Sequence, residues 1–205
     1  MTRTLGVRAW ATSAAVLVAM TACSGSDADP PPSSGESSSL PSTGSSTPTP
    51  SESELASAAA EDVVRRYFTV LDNLRQNPTE PLRPLSSVAT STQLAAQKRL
   101  LQRERGEGLR QVGTTAVAQL TVQSVNLKGS NRAVGEVPIV TVDVCWDVSG
   151  ADLVNKSGKS VVSPDRETTG WTRYTVANYQ RSKDSEGDWR IATSQDLRQT
   201  PCSAA

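Results

Sequence analysis

The chain has 205 residues, its 21 lysines and arginines balance 21 aspartates and glutamates, and it contains no histidine. The missing imidazole excludes histidine-based acid–base catalysis, serine–histidine triads and histidine metal sites. The three cysteines, at 23, 145 and 202, are too scattered to build a thiolate metal centre, and a zero net charge is not the basic excess of a nucleic-acid binder. No metal, cofactor or nucleic acid is therefore expected.

Arg3 and Arg8 precede an apolar or small-residue run over residues 9–20, and Thr21-Ala22-Cys23 follows. This is the layout of a secretory signal, and the apolar run is shorter than the roughly 20 residues that a membrane-spanning helix needs. Met20-Thr21-Ala22-Cys23 resembles a bacterial lipobox, with Met20 where such boxes most often carry leucine. The resemblance implies a signal peptide over 1–22 and a lipid on Cys23, which would hold the chain on the extracytoplasmic face of a membrane. In Ser24–Ser53, every residue other than Asp27, Ala28, Asp29, Glu36, Leu40 and Glu52 is Ser, Pro, Gly or Thr. Such a segment has too little apolar surface to offset its ordering entropy. Residues 23–53 thus read as the modified cysteine and a disordered tether, with a reach of about 30 Å.

Residues 54–205 read as one domain. Ser51-x-x-Glu54 predicts a capping box. Val63, Tyr67, Val70, Leu71 and Leu74 then recur at helical spacing, with Asp62, Arg65, Arg66 and Asp72 assigned to the other side. Asn77-Pro78 stops this helix. A second begins near Thr90-x-x-Gln93 and ends at Gly106 or Gly108. Beyond Gly108 the period becomes two. A change of parity between Val122 and Val125 predicts a β-bulge in the first long strand. Val140–Val148 is the clearest strand, with valines and Trp146 inward and Asp143 and Asp147 outward. Residues 149–167 read as a polar loop, with a short strand at Val161-Val162. Thr169–Gln180 and Trp189–Ala192 complete the set, with a turn at Asp184–Asp188. The fold class is α+β, with N-terminal helices on a bent antiparallel sheet.

The run Val63-Val64-Arg65-Arg66-Tyr67-Phe68, the bent strands and the closing Gly187-Asp188-Trp189-Arg190-Ile191 make residues 54–200 similar to the NTF2-like, cone-shaped superfamily. With the lipobox and tether, the chain resembles small lipoproteins of high-GC Gram-positive bacteria and their phages. The resemblance implies a pocket walled by the sheet. In ketosteroid isomerase-like members a tyrosine of the first helix donates to an oxyanion beside a carboxylate base, and Tyr67 matches that tyrosine by local pattern. No carboxylate lies between Glu107 and Glu136, and Asp143 and Asp147 read as outward, so no base is evident and no catalytic residue is assigned. Gly158-Lys159-Ser160 lacks the upstream glycine of a phosphate loop, since Leu153 stands there.

With Cys23 modified, Cys145 and Cys202 are the thiols that remain, and an oxidising compartment predicts a disulfide between them. The aromatic residues of the last third read as sheet core, with Trp171 beside the polar loop the candidate exposed binding residue and Tyr67 the candidate in the pocket. The expected function is a lipid-anchored binding module at the cell envelope, contacting an envelope component or an incoming protein through the loop 149–170. A phage-derived lipoprotein that blocks superinfection and an enzyme built on Tyr67 are the two alternatives.

Overall fold

Why the chain enters its first helix where it does is visible at Ser51. The computed structural model describes residues 49–129, 136–180, 187–199 and 202. The signal peptide, Cys23 and most of the tether lie outside them, as does most of the turn expected at Asp184–Asp188. In α1 (Glu52–Gln76) the Ser51 side chain accepts from the backbone N–H of Glu54, and the Glu54 carboxylate accepts from the Ser51 backbone N–H at 2.7 Å. This reciprocal pairing satisfies helix donors that would otherwise lack partners. The helix begins two residues before the expected domain boundary and ends at Asn77, as Asn77-Pro78 requires. A one-turn helix, α2 (Leu85–Val88), fills the proline-rich stretch. The helix α3 (Ser91–Gly106) follows, and Gly108 takes the left-handed conformation just beyond it, at φ 73°.

Six strands follow: β1 (Arg110–Gly113), β2 (Ala116–Asn126), β3 (Ile139–Asp147), β4 (Ala151–Val154), β5 (Thr169–Asn178) and β6 (Trp189–Leu197). The four long strands form an antiparallel sheet in the order β2-β3-β5-β6, and β1 pairs with β4 as a separate antiparallel ribbon. The expected bulge in β2 is present between Val122 and Ser124, and a second irregularity lies between Val117 and Gln119. The core forms where α1, α2 and α3 lie on one face of this sheet. Val63, Val64, Tyr67 and Leu85 meet Val140, Val142, Val144, Val176 and Ile191, all essentially inaccessible to solvent.

Three expectations need correction. The segment 149–167 is not a plain loop, because Ala151–Val154 is a strand held by β1, and Val161-Val162 is not one. Val161 is instead exposed beside Leu153, whose carbonyl its N–H reaches. The outward parity of β3 is not solvated. Asp143 and Asp147 are buried, because Arg173 lies across Asp143 and a loop amide, Ser149 N–H, caps Asp147. Asp72 does not sit on the solvent side of α1, being 6% exposed.

The Cys145–Cys202 disulfide is present. It spans a sequence separation of 57 with Cα atoms 6.2 Å apart, and it ties the chain after β6 to the outer face of β3. No helix among the described residues is long and apolar enough to cross a membrane.

Candidate binding cavity

The second half of α1 stands over the sheet and leaves a cavity of about 360 Å³. Its apolar wall is Tyr67, Phe68 and Leu71 from α1, Trp146 from β3, Val148, and Tyr174 from β5. Helical spacing places Tyr67, Leu71 and Phe68 on this side, and strand alternation points Trp146 and Tyr174 at them. The three rings of Tyr67, Phe68 and Tyr174 meet edge to face, with centroids 5.8 to 6.1 Å apart. This is the geometry their quadrupoles favour.

The indole of Trp146 lies flat across β5 because Gly170 stands opposite it in the strand register. A Cβ on Gly170 would come within 2.4 Å of the indole Cζ2. The Trp146 Nε1–H donates to Thr172 Oγ1 at 3.1 Å, and that hydroxyl donates to Asp196 Oδ1 at 3.0 Å. The ring is thus fixed by packing on one side and by a hydrogen-bond chain on the other.

Polar groups punctuate the wall. Gln93 Nε2 donates to Tyr67 Oη at 2.5 Å, and Ser194 Oγ donates to Gln93 Oε1 at 2.8 Å. Gln93 therefore faces inward, into the core, and does not cap α3. Burial raises the Tyr67 pKa to about 12, against the opposing pull of the Gln93 hydrogen bond and of Arg75. Burial pushes Tyr174 up further, and the neighbouring Tyr67 acts in the same direction. Arg75 donates to Glu104 at 3.1 Å. Arg166 donates to the carbonyls of Val148 and Ala151 and so holds the segment after β4 against the end of β3. Gln97 Oε1 is buried with no hydrogen-bond partner among the described residues.

Two carboxylates line the cavity, the exposed Glu167 and the buried Asp72. Asp72 Oδ1 accepts from Gln111 Nε2 at 2.7 Å and from Thr115 Oγ1 at 3.0 Å, and Oδ2 accepts from the Thr115 N–H at 2.8 Å. It ties α1 to β1 and to the entry of β2. Sequence reasoning missed it because its neighbours Arg65, Arg66 and Asp62 are solvent-facing, and it missed Gln97, Arg75 and Arg166 because no motif marks them.

The two expected binding residues do not form one surface. Tyr67 is in the cavity wall, 1% exposed, while Trp171 pairs with Cys145 and Leu197 on the opposite face of the sheet and is half-buried. The segment 155–168 is held by its own turn and by β4, where Val161 N–H donates to the Leu153 carbonyl and Ser160 Oγ to Asp152. Asn155 Oδ1 accepts from the N–H groups of Ser157 and Lys159, and Arg166 anchors its end. Among the described residues no cluster of three or more metal-ligating side chains occurs.

No family model matches the chain and no curated protein is similar to it in sequence. Among solved structures it is similar to the crystal structure of the intermembrane space region of chloroplast protein ARC6. That likeness has a TM-score of 0.46 and 20% identity, covers 69% of this chain and 95% of that one, and carries no functional argument.

Proposed function

We propose that the protein is a lipid-anchored binding module of the NTF2-like type on the extracytoplasmic face of a cell envelope, and that its cavity takes one compact, mainly apolar group. The aromatic cavity wall with an unpaired acceptor carries this reading. Tyr67, Phe68, Trp146 and Tyr174 offer rigid apolar area, and Gln97 Oε1 is an acceptor that a hydroxyl or amide donor of a ligand would satisfy. The group is borne by a small molecule or by one side chain of a protein partner. The lipobox ending at Cys23 supports the anchor, and the disulfide fits an oxidising compartment.

A second reading, an enzyme, is favoured by one observation, the buried Asp72 in the same cavity as Tyr67. Its geometry argues for binding. Both carboxylate oxygens are occupied by donors from Gln111 and Thr115, and the Tyr67 hydroxyl, with its pKa raised to about 12, is held by Gln93.

The mature chain carrying Cys23→Ala, titrated with an anilinonaphthalene sulfonate dye, tests the cavity. One saturable site that disappears in Trp146→Ala is expected. A dye signal that Trp146→Ala leaves unchanged would remove the cavity from the argument. The anchor is tested separately by detergent-phase partition of the wild-type chain against Cys23→Ala. Equal partition of the two would sink it.

A further inference from the structure

We propose that β2 is a homodimerisation edge, pairing antiparallel with β2 of a second copy about a two-fold axis at Thr121. Among the described residues β2 is bonded to β3 alone. No hydrogen bond from a loop or side chain of the described residues reaches its backbone, so among them its outer row of N–H and C=O groups is open along 11 residues. Edge strands are ordinarily blunted by lysine, proline or an inward charge. Ala116–Asn126 contains no charged residue and no proline.

The strand is also its own complement. Turned about Thr121, Leu120 meets Val122, Gln119 meets Gln123, and Val117 meets Val125. The faces match as well as the chemistry. Val117, Leu120, Val122 and Val125 are the half-buried, core-side residues, whereas Gln119, Thr121 and Gln123 are exposed on the other side. A two-fold axis normal to the sheet keeps the helix layers of both copies on one side and completes the burial of those four apolar residues. One register irregularity lies on each side of Thr121, so an identical strand shares the curvature that would mismatch a straight one. The absence of charge matters most at the axis, where Thr121 meets its own copy and a charged residue would be set against its like.

The size of the contact sets its strength. Nine residues at about 3.3 Å each, one strand thick, cover roughly 600 Å² in total, below the ~1,200 Å² of a standard interface. The pair is therefore weak in dilute solution and forms where copies are concentrated.

The test uses the mature Cys23→Ala chain at about 0.5 mM, a concentration suited to weak complexes. Opposed residues in such a pair have Cβ atoms about 4.5–5.5 Å apart. Under mild oxidation Thr121→Cys should give a disulfide dimer at least about tenfold faster than Ala58→Cys, an exposed position on α1. An equimolar mixture of Gln119→Cys and Gln123→Cys chains should form the mixed dimer in preference to either homodimer. In sedimentation equilibrium, Thr121→Lys should weaken dimerisation by at least about tenfold while circular dichroism stays unchanged. Equal oxidation rates at positions 121 and 58, a dimer indifferent to Thr121→Lys, or cross-linking of Thr121→Cys in cells to a different protein would each overturn the proposal.

Discussion

Three donors converge on the Asp72 carboxylate, and removing it strands all of them in a buried corner. Asp72→Ala should lower stability by about 3 kcal/mol in urea unfolding, since each buried donor left without an acceptor costs about 1–3 kcal/mol. If the variant instead unfolds like the wild type while a catalysed reaction is lost, the enzyme reading gains. Tyr67 and Tyr174 give a second measurable quantity. Their folded pKa values are raised above the ordinary 10, Tyr67 to about 12. The stability they confer is thus complete below pH 10 and is lost as the pH rises from there through the folded values. Tyrosinate absorbance and loss of secondary structure should rise together above pH 10, and Tyr67→Phe should shift the transition upward. Tyr67 was legible from the helix pattern. Asp72 was not, because a charged residue is ordinarily assigned to water and its partners Gln111 and Thr115 are some forty positions away in the sequence.

At the scale of elements, Gly170 is the position where one methyl group matters most to the cavity. The added carbon meets the Trp146 ring, which cannot slide away without breaking its bond to Thr172. Gly170→Ala should therefore cost about 1–3 kcal/mol, as overpacking does. It should also shift the tryptophan emission and weaken dye binding. An unchanged emission spectrum would show that the indole is not held as described. The long elements were legible, since α1, β3 and β5 carry periodicities over nine residues or more. The ribbon of β1 and β4 was not, because four-residue strands carry too few alternations to stand out. It follows that deleting 152–166 to probe the loop would remove the partner of β1 as well. The buried outer parity of β3 was hidden for a related reason. Its cover is an arginine from β5 and a distant cysteine, which no local pattern reports.

For the molecule as a whole, the disulfide is the largest single constraint on the unfolded chain. Replacing Cys145 and Cys202 by serine should destabilise the domain by up to about 4 kcal/mol, the chain-entropy value for a loop of this length. Denaturant midpoints that coincide with and without reductant would refute it. The start of α1 has a mechanical meaning for a chain held at Cys23. In a chain so held, a tug at Cys23 reaches the domain through Ser51, and the first turns of α1 grip the core only with the small side chains of Ala56, Ala59 and Ala60 before Val63 is reached. Residues 52–62 can uncoil first, each lengthening from about 1.5 Å to about 3.5 Å, which provides about 20 Å of slack. The helix would then act as a spring that spares the aromatic wall from load. A single-molecule pulling trace should show that short low-force extension before the domain gives way.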